Sequence, residues 1–159
     1  MRLAVLVVLS DARGRFLLLC RRKRPNRGRW SPLGGKVETD RGESPHEAAR
    51  REVKEESGIS IRPRDLRLAG ILTERRWEGR EDWLVFAFRA RAPRGAKTRA
   101  DSPEGDLAWT TRARVLSLPD APRGMRYFWR RMLSRSRGRP FVLTIEGRSR
   151  GMPRIRSEE

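Results

Sequence analysis

The stretch Gly34–Ile59 reads GGKVETDRGESPHEAARREVKEESGI, and its charge is out of keeping with the rest of the chain. Over 159 residues there are 38 Lys and Arg against 20 Asp and Glu, a formal net charge of +18. Yet Glu38, Asp40, Glu43, Glu47, Glu52, Glu55 and Glu56 put seven of those 20 carboxylates within nineteen residues.

Local signals make this stretch a loop followed by a helix. Ser44 suits the N-cap, Pro45 the first helical position, and Glu47 completes a capping box. Gly58 supplies the C-terminal cap, so the helix runs from about Pro45 to Ser57. On it Glu52, Glu55 and Glu56 fall within about 100° of arc and project from one side. Ala48 leaves room beside them, while Ala49 and Val53 flank the arc and can pack on a sheet. Clustered carboxylates repel one another unless a cation neutralises them. Salt bridges to Arg50, Arg51 and Lys54 are one solution; a bound metal is the other. A glycine-rich loop precedes the helix and brings Glu38 and Glu43 near. An all-oxygen donor set suits Mg2+ or Mn2+ and not zinc. Magnesium held by carboxylates and completed by phosphate oxygens activates a phosphoanhydride, which would give the surrounding arginines phosphates to hold.

Composition agrees with a single domain large enough to bury a core. Hydrophobic and charged residues each make up 36%, but the apolar ones are gathered in the runs LAVLVVL, FLLLC and WLVFAF. Cys20 is the sole cysteine, which excludes an intrachain disulfide and fits a reducing, cytoplasmic setting. It closes an apolar run, as an inert buried thiol does. LAVLVVL is too short to span a membrane and has no cleavage site beside it, so it is a strand, and no membrane partner is expected. The charge favours polyanions. Only Lys23, Lys36, Lys54 and Lys97 are lysines; arginine suits phosphate, although base composition of the genome explains the bias equally well.

Along the chain, strands are expected at Leu3–Leu9 and Phe16–Cys20, joined by the turn DARG, with an arginine-rich loop over 21–29. Leu66–Thr73 and Trp83–Ala90 form a hairpin around Trp77–Arg80. A strand at Leu107–Thr110, a helix at Met125–Ser134 and a strand at Phe141–Ile145 follow. The domain is 1–146, and 147–159 is a basic, loose tail. There are no internal repeats.

Glu43, seven further residues and then Arg51-Glu52-Val53-Lys54-Glu55-Glu56-Ser57-Gly58-Ile59 resemble the Nudix box, Gly-x5-Glu-x7-Arg-Glu-aliphatic-x-Glu-Glu-x-Gly-aliphatic. The match has one departure: seven residues, not five, separate Gly35 from Glu43, a two-residue insertion within Thr39–Gly42. Trp30–Glu38 is similar to the strand leading into the box, and Glu104–Trp109 to a later acid-then-tryptophan segment. The resemblance implies an α/β (α+β) Nudix fold, a mixed β-sheet between helices with the box as loop-helix-loop. It implies hydrolysis of a nucleoside diphosphate linked to another moiety, with Mg2+ or Mn2+ as cofactor and a nucleotide as partner. Carried over residue by residue, the metal ligands are Glu52, Glu55, Glu56 and the Gly35 carbonyl, with Glu104 as a late ligand or base. Glu52 and Glu55 are the catalytic candidates, Glu52 as general base, with Arg51 orienting the glutamates and Glu43 supporting the loop. Trp30, Lys36, Glu38, Tyr127 and Phe128 are the substrate-binding candidates. His46, the single histidine, points away from the glutamate face.

Three functions fit. The first is a nucleoside triphosphate diphosphatase, with oxidised purines such as 8-oxo-dGTP in view. The second is an RNA 5′-end pyrophosphohydrolase, favoured by the charge. The third is a non-catalytic nucleotide- or nucleic-acid-binding regulator, which the intact glutamate set disfavours. Relatives specific for oxidised purines tend to carry acids just before the aromatic stretch at 127–129. Here Gly124, Met125 and Arg126 stand there, with Asp120 as the one substitute. A stacking pocket separates close analogues by only about 1–3 kcal/mol, so broad specificity is expected, with oxidised dGTP preferred less than about a hundredfold. Oligomeric state stays open.

Overall fold

The computed structural model describes residues 1–23, 26–75, 81–119, 125–134, 139–147 and 153–158. Its centre is β1 (Arg2–Ser10), whose side chains are apolar on both faces. Val5, Val7 and Leu9 enter one core layer, and Ala4, Leu6 and Val8 the other. A strand apolar on both sides belongs inside a covered sheet, and β1 pairs in parallel along its whole length with β5 (Trp83–Arg91). The sheet continues through β4 (Leu66–Arg75), β7 (Phe141–Glu146) and β8 (Arg154–Glu158). On the other side of β1 lie β2 (Phe16–Arg21) and β3 (Trp30–Ser31), and β6 (Gly105–Thr110) pairs with β2. The β1/β5 and β4/β7 pairs are parallel and the rest antiparallel, so the sheet is mixed.

Helix α1 (Pro45–Ser57) covers the first layer through Ala48, Ala49 and Val53. Helix α3 (Met125–Leu133) covers the second through Phe128, Trp129, Met132 and Leu133. The expected sheet between helices is therefore present. Arg89 on β5 donates to the carbonyls of Arg131 and Met132, which ties down the C-terminal end of α3.

The site depends on a gap in the sheet. β1 and β2 pair only at Leu9↔Leu17 and Ser10↔Phe16. Residues 33–37 fill the space below: Val7 N donates to Leu33 O (2.7 Å), Val5 N to Gly35 O (2.9 Å) and Val37 N to Leu3 O (3.0 Å). The glycine pair is thereby fixed against β1. Gly34 has φ +144, and a Cβ on it would overlap the Val5 carbonyl, so no other residue fits this approach.

The structure departs from the sequence reading in two places. The supposed tail contributes β8, which pairs antiparallel with β7. Ile155 packs against the second layer opposite Ile145, and its isolation among arginines hides the strand in the sequence. A short helix, α2 (Arg112–Leu116), capped by the Thr111 hydroxyl, was not expected. The two-residue insertion falls in a 3-10 turn over Thr39–Arg41, closed by Gly42. The hairpin loop at Trp77–Arg80 and Asp120 lie outside the described residues. Among those described, no helix is long and apolar enough to cross a membrane.

Gly34→Ala should destabilise the protein by about 2–4 kcal/mol, combining backbone strain with the overlap on Val5. Gly14→Ala, also at positive φ but in open space, should cost about 1 kcal/mol. Urea midpoints of the two variants test this; equal losses would mean that the Gly34–Val5 approach is looser than described.

Candidate active site

The ends of α1 form as the sequence indicates. Glu47 N donates to the Ser44 hydroxyl and the Glu47 carboxylate accepts from Ser44 N at 2.9 Å, while Gly58 adopts φ 78. With Ala48, Ala49 and Val53 fully buried, the helix has one orientation on the sheet, and it turns Glu52 and Glu56 toward Gly34–Gly35.

Glu56 is only 2% exposed. Its Oε2 accepts from Gly34 N at 2.9 Å. Burial pushes its carboxyl up to about 8; the Gly34 N–H pulls it down, and Glu52 adds repulsion. Glu52 is also raised by burial, against the pull of Arg51. Gly35 lies directly on Glu52, since a Cβ there would overlap the carboxylate.

Arg51 holds the group together. Its Nε donates to Glu43 Oε1 (2.7 Å), and its Nη2 to Glu43 Oε2 (3.1 Å) and the Lys36 carbonyl (2.9 Å). Its Nη1 donates to Glu52 Oε1 (2.9 Å) and Glu55 Oε2 (3.1 Å). The hydrogen bonds it donates to Glu43 and Glu52 push Arg51 above its ordinary range, and Arg51 in turn lowers Glu43. Glu43 also accepts from Glu38 N at 2.8 Å, which fixes the loop. With Arg51 drawing Glu52 and Glu55 aside, no three acidic, histidine or cysteine side chains among the described residues converge on one point.

The other sequence candidates divide. Glu104 sits just before β6 and pairs with Arg21 Nη2 at 3.0 Å; both charges act on Glu56, so this acid joins the site. Arg21 went unnoticed within an arginine-rich loop where nothing sets it apart; Arg22 likewise pairs with Asp106. Lys36 is exposed beside the network, and the Glu38 side chain is engaged by Arg41 at 2.8 Å. Trp30 packs in the layer beneath α3. Tyr127 is 45% exposed and offers a free face, but Phe128 is 1% exposed and packs edge-on to Trp129. Phe128 is therefore core and cannot stack on a base, because α3 turns it onto the sheet. His46 packs against Phe88, away from the glutamates.

These donors fit a hard divalent cation. They are all oxygens, two are buried like charges whose ionisation is suppressed, and Gly35 leaves a cradle beside Glu52 that a Cβ would fill. Arg51 supplies the positive charge that a metal would replace in part.

A family model described as the NUDIX domain matches residues 1–132. The chain is 35% identical over 103 residues to an uncharacterised Nudix hydrolase of Bacillus subtilis, which covers 63% of this chain and 62% of that protein. It is 35% identical over 118 residues to the human 8-oxo-dGDP phosphatase, across 72% of this chain and 33% of the relative. Its fold is similar to a solved MutT protein from Bacillus halodurans, with TM-score 0.80, 29% identity and coverage of 99% and 98% of the two chains. The chain thus spans less than two thirds of the length of either curated relative.

In the metal-free protein the folded state keeps a proton on Glu56 up to about pH 8, whereas the unfolded chain releases it near the ordinary glutamate value of 4.5. The folded state binds more protons across that window, so stability should fall as pH rises through it. Glu56→Gln retains an acceptor for Gly34 N–H and cannot ionise. At pH 8 it should be more stable than the parent by on the order of 1–3 kcal/mol, and near parity at pH 5. Denaturant midpoints in chelator at the two pH values measure this; an unchanged difference would mean Glu56 is solvated.

Proposed function

The chain belongs to the Nudix family, and from that premise we propose that it is a divalent-metal-dependent hydrolase of nucleoside triphosphates. The products are the monophosphate and pyrophosphate, and oxidised purine nucleotides are among the substrates. One observation carries this reading: Glu52 and Glu56 are pressed, with ionisation suppressed, onto Gly34–Gly35, beside an Arg51 that bonds Glu52 and Glu55 at once. A structural salt-bridge cluster gains nothing by burying a carboxylate whose partner is one amide N–H.

Glu52, Glu55, Glu56 and the Gly35 carbonyl would hold Mg2+ or Mn2+, with Glu104 as a further donor. The metal, when bound, withdraws charge from the phosphate oxygens and makes a bound water acidic. Glu52, next to Arg51, accepts a proton from the attacking water as general base. Arg51 turns with the carboxylates and keeps Glu43 and the Lys36 backbone in place. Exposed Lys36 and the basic residues after β2 neutralise the phosphate chain, and Tyr127 offers its face to a base. The lone cysteine suits the reducing cytoplasm, where such an enzyme would clear damaged nucleotides from the pool.

Two other substrates have support. The human relative's name gives a diphosphate, 8-oxo-dGDP, and the charge of +18 favours a 5′-triphosphorylated RNA end.

A panel of nucleoside tri- and diphosphates and a 5′-triphosphorylated oligonucleotide, with products identified, tests the reading. Activity should require Mg2+ or Mn2+ and disappear in chelator, and triphosphates should give pyrophosphate. Glu52→Gln and Glu56→Gln should each lower kcat by about 10²–10⁴-fold with folding intact. Release of orthophosphate alone, or full activity in either variant, would reject it.

A further inference from the structure

β4 carries a carboxylate that the metal site does not use. The β4–β5 and β4–β7 registers set Glu74 opposite Trp83 and Ile145, one step beyond the row of Leu72, Val85 and Leu143. Side chains two apart on a strand share a face, so Glu74 lies on the face that α3 covers. It is partly buried, and among the described residues no hydrogen bond or ion pair reaches it. Burial pushes its carboxyl up. On the same face, Arg2 of β1 pairs with Glu81 and lies over the Trp83 ring.

The same layer holds a second unpaired group. Trp129 on α3 is 3% exposed, and its indole N–H has no acceptor among the described residues. Buried polar groups are nearly always paired, and leaving one unpaired costs the full loss of its hydration. A carboxyl and an N–H on one face of the sheet, both without a partner among the described residues, await something that brings its own donors and acceptor. Trp30, Trp83 and Met125 border this layer and are partly exposed, walls suited to a flat aromatic ring.

The layer is within reach of the phosphate end. Gly35 is hydrogen-bonded to Val5 of β1, and β4 is the second strand over, beyond β5. Gly35 is one spacing further out, and Glu74 aligns with Arg2, three residues along from Val5; about 14 Å across the sheet and about 10 Å along it make about 17 Å, a span that an extended nucleotide and the Glu74 side chain cover together.

We infer that Glu74 is a specificity-determining residue of the substrate site, its carboxylate accepting the two adjacent N–H donors of a guanine-type base edge while Trp129 N–H donates to the neighbouring carbonyl. Cytosine and uracil lack that donor-donor-acceptor order, and hypoxanthine lacks the amino group. The inference rests on the hydrolase reading above. It also departs from the expectation of a stacking pocket of broad specificity: β4 supplies an acid to read the base, where the sequence reading offered only Asp120 as a substitute.

The test compares kcat/KM for dGTP, dITP and dCTP in the parent, Glu74→Gln and Glu74→Leu proteins with saturating Mg2+. The parent should favour dGTP over dITP and dCTP. Both variants should lower the dGTP/dCTP ratio by about tenfold or more, with dCTP turnover within about threefold of the parent. Melting temperatures should hold or rise, because the carboxyl removed has no partner among the described residues. Unchanged ratios with dGTP still hydrolysed would overturn the assignment, as would variants that fail to fold. If the parent hydrolyses no nucleotide, the hydrolase reading fails by itself, and calorimetry with dGMP still decides: binding weakened in Glu74→Gln supports the role of Glu74, and equal binding overturns it.

Discussion

Four carbonyl or carboxylate groups converge on one guanidinium, and the site is organised around that constraint. Arg51 bonds Glu43, Glu52, Glu55 and the Lys36 carbonyl at once. Only a planar group with several fixed donors can do this; a lysine ammonium on the same stem would satisfy three at most. Glu43 and Lys36 belong to the loop and Glu52 and Glu55 to the helix, so this one side chain locks the two together. It also separates charges that would otherwise repel across a few ångströms. Glu56, out of its reach, is left to burial and a single amide donor, and its ionisation is suppressed as a result.

The backbone makes this network possible. Because β2 leaves β1 after two residue pairs and joins β6, the edge of β1 is open to the glycine segment. Gly34 and Gly35 can lie there because neither has a Cβ to strike Val5 or Glu52. The same strand exposes Ala4 and Leu6 to the layer under α3. A single strand therefore borders the acids proposed to hold the metal on one side and the layer assigned to the base on the other.

How much of this the sequence discloses depends on the range of the interactions involved. The helix Pro45–Ser57 is local, set by Ser44, Glu47 and Gly58, and its bounds and its acidic face were legible. The strands 3–9, 66–73 and 83–90 were legible from their apolar runs. The long-range features were not. β8 carries one apolar residue among charges and becomes a strand only because β7 offers an edge. Phe128 and Tyr127 are adjacent and alike in composition, and only the docking of α3 buries one and exposes the other. Glu74 is the clearest case. A register shift between Leu68 and Gly70 moves β4 from one face to the other. Counting by twos from Leu66 would have placed Glu74 beside α1, under the wrong helix.

The central claim is that buried carboxylates on α1 are held in suspense for a divalent cation. Calorimetric titration of the chelator-treated protein with Mn2+ at pH 7, repeated in buffers of different ionisation enthalpy, tests it without relying on turnover. Glu56, pushed up to about 8, is mostly protonated at that pH, and a metal binds the carboxylate only after the proton leaves. Binding should release close to one proton per protein, and Glu56→Gln should abolish the release. Tight binding with no proton released, or no binding at all, would contradict the account.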